Sequence, residues 1–166
     1  VTINAGFVMR AWYDIVSIDR SGPQDEKGVM ESAAAVEALV ARERERGIAS
    51  ERIVVAGFSQ GGAIALHTAL RHAERLAGII ALSTWLPLAS RLDAERHPAN
   101  EGLPIFMAHG TLDPIVPEQL GRDSARHLAG LGYEVEWRSY AMPHAVCPEE
   151  IRAIQEWLML RLEGES

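Results

Sequence analysis

Apolar runs and amphipathic stretches alternate along most of this chain. Apolar side chains spaced three and four residues apart from Asp25 to Gly47 predict a long helix with a charged face, and Gly47 suits its C-terminal cap. Apolar or alternating segments predict strands at 52–56, 76–82, 104–108 and 134–140, and helical patterns cover 60–73, 118–131 and 148–162. This alternation predicts an α/β fold whose sheet is largely parallel and covered by helices on both faces.

Side chains capable of chemistry follow several of these strands. Ser59, Ser83, Asp113 and His144 each come directly after a predicted strand. The carboxyl ends of parallel strands share one edge of a sheet, and function collects at that edge. We therefore expect these four side chains to lie close together.

The segment from Ala56 to Gly62 (Ala-Gly-Phe-Ser-Gln-Gly-Gly) lies between a predicted strand and a predicted helix. Gly-x-Ser-x-Gly in that context is typical of a nucleophilic serine held in a strained turn. Gly57 and Gly61 are expected to let the strand and the helix approach closely. The backbone N–H of Gln60 would face an oxyanion that forms on a substrate of Ser59. The alternative is that Ser59 is only a small residue in a tight turn, which the flanking strand and helix disfavour.

A serine nucleophile needs a base, and the base needs a group that orients it. Ser59, Asp113 and His144 occur in the chain order of α/β-hydrolases, each after its own strand. The alternatives are a turn aspartate before Pro114 and an ordinary surface-loop histidine. The other histidines lie in predicted helices or in a polar loop, except His109. His109 precedes Gly110, and its ring is expected to brace the loop that carries Asp113. His144 is therefore the predicted base.

Other residues near this edge permit further hypotheses. Trp85, Leu86 and Val116 are predicted to wall an acyl pocket, with ordinary loop packing as the alternative. Cys147 is expected to be a small buried apolar residue.

A metal site is the weaker alternative for this edge of the sheet. His109, Asp113 and His144 could converge, but the chain has neither His-x-x-x-His nor paired-cysteine spacing. No metal is therefore predicted.

Composition narrows the class of protein. A length of 166 residues predicts a single domain over 1–166, and the net charge of −7 argues against a nucleic-acid partner. No apolar run approaches the roughly 18 residues that would span a bilayer, so no integral membrane association is expected. No signal peptide is visible, and the single cysteine fits a reducing compartment, so a cytoplasmic location is expected.

Several motifs of this chain together resemble the bacterial carboxylesterase and acyl-protein thioesterase (lysophospholipase-like) family of the α/β-hydrolase fold. The motifs that carry the resemblance are Val1–Gly6, Trp12–Ile15, Ala56–Gly62, Ala81–Trp85, His109–Pro117 and Tyr140–His144. The resemblance implies a small-molecule ester or acyl-thioester substrate with a short to medium acyl chain, and no cofactor. Ser59, Asp113 and His144 match the family's nucleophile, acid and base, whereas Pro143 and Ala145 depart from its pattern around the histidine.

The larger departure from the family lies at the start of the sequence. The family carries an N-terminal region whose His-Gly-x-Gly-type loop supplies a second oxyanion donor, and loss of one donor typically costs about 3 kcal/mol in the transition state. No such region precedes Val1, so the expectation is an N-terminally truncated fold with an exposed sheet edge that a homodimer could cover. The favoured function is an esterase or thioesterase. The alternatives are a non-catalytic or barely active scaffold and a peptidase on the same fold.

Overall fold

The computed structural model describes residues 2–3, 7–8, 10–14 and 24–162. The strands are β1 (Thr2–Ile3), β2 (Phe7–Val8), β3 (Val54–Phe58), β4 (Gly78–Leu82), β5 (Pro104–Gly110) and β6 (Glu134–Tyr140). The helices are α1 (Glu26–Glu45), α2 (Gln60–Ala69), α3 (Ala89–Glu95), α4 (Glu118–Gly130) and α5 (Pro148–Leu162). Single 3-10 turns occupy Ser50–Arg52 and Pro98–Asn100.

Four strands form one parallel sheet in the order β3–β4–β5–β6, and β1 pairs with β2 in a separate antiparallel ribbon. The register places Phe58 of β3 opposite Leu82 of β4, and Leu82 opposite Ala108 of β5. Gly110 of β5 lies opposite Tyr140 of β6. The carboxyl ends of all four strands therefore meet at one edge, as the sequence predicts.

Helices cover both faces of this sheet. On one face, side chains of β4 and β5 pack against Leu66 of α2 and Leu128 of α4 in the main core cluster. On the other face, Phe106 packs against Trp157 of α5, with ring centroids 6.1 Å apart. Every residue of β4 and β5 is buried, which explains why their sequences read as continuous apolar runs. The predicted α/β architecture, with a parallel sheet and helices on both faces, is thus confirmed.

Most predicted elements occur, with shifts at their ends. The strand 134–140 and the helix 148–162 coincide with β6 and α5. The predicted strand 52–56 is displaced toward its C-terminus because 50–52 form a 3-10 turn first. The predicted helix 60–73 ends early, because the N–H groups of Arg71 and His72 bond to Thr68 and Ala69 and tighten the last turn. The short helix α3 was not predicted.

The predicted cap of α1 is present. Gly47 has φ 89°, in the left-handed region that terminates helices and that glycine occupies without strain. At the other end, the Asp25 carboxylate accepts hydrogen bonds from the N–H groups of Gly28 (2.9 Å) and Asp14 (3.0 Å). Within the described ranges, none of the helices has the length and apolar character needed to cross a membrane.

Candidate active site

The turn between β3 and α2 holds Ser59 in a strained backbone conformation. Ser59 has φ 54° and ψ −124°, a combination that few residues other than glycine adopt. Two hydrogen bonds fix it there: its N–H donates to the Leu82 carbonyl at 2.8 Å, and its carbonyl accepts the Thr84 hydroxyl at 2.6 Å. A Cβ on Gly57 would overlap the backbone of Gly61, so the strand must pass the helix without a side chain at that position. This is the strained turn that the sequence predicts.

Gly61 does not permit the close approach of strand and helix in the way that the sequence predicts. A Cβ on Gly61 would meet only Trp12 Nε1, at 3.4 Å, and would not obstruct the packing of helix on strand. A Cβ on Gly62 would instead lie 2.8 Å from Thr84 Cγ2 and 2.9 Å from the Gly57 carbonyl oxygen. Gly62, rather than Gly61, is therefore the helix residue whose own lack of a side chain permits the close approach.

Asp113 and His144 are directly hydrogen-bonded, with His144 Nδ1 2.6 Å from Asp113 Oδ2. The other carboxylate oxygen accepts the backbone N–H groups of Ile115 (2.8 Å) and Val116 (2.9 Å). Burial opposes the charged form of Asp113, but the hydrogen bonds from His144, Val116 and Ile115 outweigh it and lower the pKa of the carboxyl. A carboxylate that accepts the Nδ1 proton leaves Nε2 of a neutral His144 free to accept a proton.

Backbone hydrogen bonds join the acid loop, residues 111–117 with Asp113, to the base loop, residues 141–147 with His144. Thr111 N–H donates to the Tyr140 carbonyl at 2.8 Å, and Leu112 N–H donates to the Met142 carbonyl at 3.1 Å. A Cβ on Gly110 would overlap the carbonyl oxygen of Met142, so the end of β5 packs directly against the base loop. The two loops are therefore one packed unit at the end of β5 and β6.

This unit reaches the serine turn through an aromatic contact. The His144 ring lies on Phe58, with centroids 4.7 Å apart, and Phe58 directly precedes Ser59. Ser59, Asp113 and His144 thus lie at the same edge of the sheet. Among the described residues, no hydrogen bond joins the Ser59 hydroxyl to His144; such bonds are often long before substrate binds.

His109 braces the acid loop, as expected. Its ring is 1% exposed, and Nε2 donates to the Val116 carbonyl at 2.9 Å while lying 3.5 Å from Asp113 Oδ2. Since His144 Nδ1 is also bonded to Asp113, the histidine nitrogens that face the carboxylate already have protein partners. Within the residues that the structure describes, no group of three His, Cys, Asp or Glu side chains is arranged to hold a metal ion.

The Gln60 side chain has a role that the sequence did not predict. Its Oε1 accepts the Trp12 N–H at 3.0 Å, and its Nε2 donates to the Tyr13 carbonyl at 2.6 Å. The amide therefore clamps the segment 10–14 against the start of α2. As the first residue of the helix, Gln60 also has a backbone N–H with no intrahelical acceptor, next to Ser59.

The three residues predicted to wall an acyl pocket lie in packed surroundings. Leu86 is 3% exposed and belongs to the main core, and Val116, in the same loop as Asp113, is 1% exposed. Trp85 is half-buried and packs against a cluster that contains Ile64 and Leu88. Their role as pocket walls stays a prediction. Cys147, expected to be buried, is only partly so, because it lies at the exposed start of α5.

Comparisons with known proteins point to one family. A sequence model of the family described as Phospholipase/Carboxylesterase matches residues 1–162. Acyl-protein thioesterase 1 of Mycosarcoma maydis is 41% identical over 172 residues, which cover 95% of this chain and 72% of the relative. Acyl-protein thioesterase 1 of Neurospora crassa is 43% identical over 171 residues, covering 98% and 69%. These relatives are fungal, so they lend no support to the bacterial affiliation expected from the sequence, and the comparisons do not support the expected truncation either.

Solved structures of similar proteins superpose closely on this chain. The crystal structure of Arabidopsis thaliana SOBER1 superposes with a TM-score of 0.88 at 31% identity, covering 95% of this chain and 76% of that one. Zea mays acyl-protein thioesterase 2 gives a TM-score of 0.84 at 31% identity, covering 95% and 74%.

Proposed function

This chain belongs to the phospholipase/carboxylesterase family and is a hydrolase, and we propose that Ser59 is its nucleophile, His144 its general base and Asp113 the acid that orients the base. The observation that carries this assignment is the 2.6 Å contact between His144 Nδ1 and the buried Asp113 carboxylate, beside the strained Ser59 turn. That carboxylate fixes the tautomer in which His144 Nε2 accepts a proton.

The proposed reaction passes through an acyl-enzyme. His144 takes the hydroxyl proton of Ser59 as the serine oxygen attacks the substrate carbonyl, and Asp113 stabilises the imidazolium that forms. The Gln60 N–H binds the oxyanion, since it is the free donor next to the nucleophile. His144 then gives the proton to the leaving alcohol or thiol. Water, activated by the same imidazole, releases the carboxylic acid.

An acyl substrate suits the surroundings of this site. Four large apolar side chains near it are exposed: Phe58 (37%), Leu112 (68%), Ile115 (56%) and Val146 (41%). Apart from Asp113 and His144, the loops at 110–117 and 141–148 contain no acidic, basic or histidine side chain. Apolar groups around a reactive serine favour an acyl chain over a polar peptide. We therefore propose short to medium acyl chains and place peptide hydrolysis second.

We propose thioesters as substrates alongside oxygen esters, because two curated relatives that cover most of this chain are named acyl-protein thioesterases. The decisive experiment measures turnover of p-nitrophenyl butyrate and of butyrylthiocholine by the purified chain and by Ser59→Ala. Ser90→Ala is the matched control, because Ser90 is exposed on α3. We expect Ser59→Ala to abolish both activities and the control to keep both.

The other outcomes of this experiment distinguish the alternatives. Turnover that survives in Ser59→Ala refutes the assignment of the nucleophile. No turnover by a folded wild-type chain favours the non-catalytic scaffold. Hydrolysis of butyryl-p-nitroanilide at a rate comparable with the ester favours the peptidase.

A homodimer and a cytoplasmic location also stay proposals. β3 has a strand partner on one side only among the described residues, and a cleft of about 480 Å³ lined by Leu39, Ile53 and Phe58 runs along its other side. We propose that a second copy covers this edge. Sedimentation velocity across micromolar concentrations tests the idea, and a single monomer peak at every concentration contradicts it. The cytoplasmic location rests on the single cysteine.

A further inference from the structure

Glu150, in the first turn of α5, is a fully buried carboxyl with no assigned function. Its exposure is 0%, and neither carboxyl oxygen has a hydrogen bond of normal geometry. Burial raises the pKa of Glu150 to about 7, although the nearby Cys147 N–H opposes the rise. A buried polar group without a partner is rare and costly, so its presence requires an explanation.

The groups that face this carboxyl come from two elements beside α5. From β6, the Tyr140 hydroxyl is also buried and makes no hydrogen bond of normal geometry, with the Arg138 side chain nearby. Burial raises the pKa of Tyr140, Arg138 opposes the rise, and Glu150 and Cys147 add to it. From the base loop comes Cys147 itself. On α5, the neighbouring Glu149 is exposed, and no ion pair among the described residues involves Glu150.

These neighbours connect Glu150 to both ends of the loop that carries His144. The loop starts at Tyr140, whose carbonyl accepts the N–H groups of Thr111 and Met142, each at 2.8 Å. It ends at Cys147, whose carbonyl accepts the first helical N–H of α5, from Ile151, at 3.1 Å. The buried carboxyl therefore lies close to residues at both ends of the loop that carries His144.

We propose that Glu150 is a positioning residue whose neutral carboxyl supports the His144 loop and whose ionisation displaces that loop and lowers activity. A carboxylate at this position would need water or a cation, and either requires the packing against Tyr140 and Cys147 to loosen. The inference rests on the proposed role of His144 as the general base.

The test is the pH dependence of kcat/KM from pH 5.5 to 9.5 for the wild type and for Glu150→Gln, which keeps the shape and stays neutral. Glu149→Gln is the matched control, because it removes an exposed carboxylate from the same turn. In the wild type and the control we expect activity to fall roughly tenfold per pH unit above about pH 7. In Glu150→Gln the falling limb should vanish.

A second readout does not depend on turnover or on the folding of the variant. With ¹³C-labelled histidine, the NMR signal of His144, assigned by its loss in His144→Asn, should show a second inflection near pH 7 in the wild type. A single inflection in the wild type, or a falling limb that persists in Glu150→Gln, overturns the proposal. If Ser59→Ala retains turnover, the proposed function fails, and the NMR titration still decides the role of Glu150.

Discussion

The nucleophile side and the acid–base side of the proposed site are held in different ways. Ser59 follows β3, an edge strand of the described sheet in which Ala56 and Phe58 are exposed. Its turn is held by the close approach of α2 to β3 and by hydrogen bonds to Leu82 and Thr84. Asp113 follows β5, which is buried along its whole length and pairs with β6 from end to end. Burial of the supporting strand is therefore not what holds the nucleophile.

The difference lies in how much of each side a local motif specifies. Glycines within a few residues of Ser59 let the serine turn form, so a local motif predicts it, although the contact with Thr84, 25 positions away, also holds it. The contact between Asp113 and His144 joins residues 31 positions apart. It depends on two loops that meet only after β5 and β6 have paired. Substitutions on the acid–base side should therefore change chemistry or loop position, whereas those beside the serine turn should change local order.

Asp113→Asn, on the acid–base side, should lower activity more than the other substitutions that test this comparison. An amide can donate to His144 Nδ1 and so favour the tautomer that cannot accept the serine proton. We expect kcat to fall by about 10⁴-fold while the chain remains folded, measured by ester hydrolysis and by circular dichroism. Asp93→Asn is the control, since the Asp93 side chain is 72% exposed on α3, and it should keep full activity. A loss smaller than tenfold in Asp113→Asn would contradict the assignment of the acid.

Gly110→Ala tests the packing between the two loops without touching a proposed catalytic group. The added Cβ would overlap the Met142 and Pro143 carbonyl oxygens and displace the base loop. A misplacement of about 1 Å can cost roughly 10²-fold in rate, so we expect a loss of that order with a lower Tm. Gly130→Ala has open space around its Cβ and should leave activity unchanged. Equal activity and equal Tm in the two variants would show that neither activity nor stability depends on close packing between the two loops.

Thr84→Val should have a smaller effect, on the nucleophile side. It removes the hydroxyl that donates to the Ser59 carbonyl at 2.6 Å and keeps the shape of the side chain. We expect the free energy of unfolding to fall by about 1 kcal/mol and kcat to fall by less than about tenfold. Thr68→Val is a matched control, because the Thr68 hydroxyl is buried without a hydrogen-bond partner and its loss should be neutral or stabilising. Chemical denaturation of both variants measures the difference.

Sequence periodicity predicted most of this fold because burial imposes it directly. The strand 134–140 alternates since β6 lies at an edge of the described sheet, and the continuous apolar run of β4 reflects burial on both faces. The ends of α2 and β3 were placed less well, because 3-10 turns at those ends leave no mark on the apolar spacing. The helix α3 is too short for a periodic signal.

The sequence predicted that Ser59, Asp113 and His144 would share one edge, because each follows a strand of the same parallel sheet. It did not predict the hydroxyl of Thr84 or the need for glycine at 110, since both depend on distances between separate segments. Glu150 was not singled out either. Acidic residues in the first turn of a helix are common and usually solvated, so the residue type carried no signal of burial.

The smallest predicted effect concerns acid stability. The pKa of Asp113 is lowered in the folded chain, so its carboxylate contributes stability above the pKa of the unfolded chain, about 4. That contribution should be lost as pH falls below about 4, through the lower folded-state value. Because the amide introduced by Asp113→Asn cannot titrate, the Tm of the wild type should fall more steeply than that of the variant below this pH. Parallel Tm curves from pH 6 to pH 2.5 would show that the contact with His144 orients the imidazole without stabilising the fold.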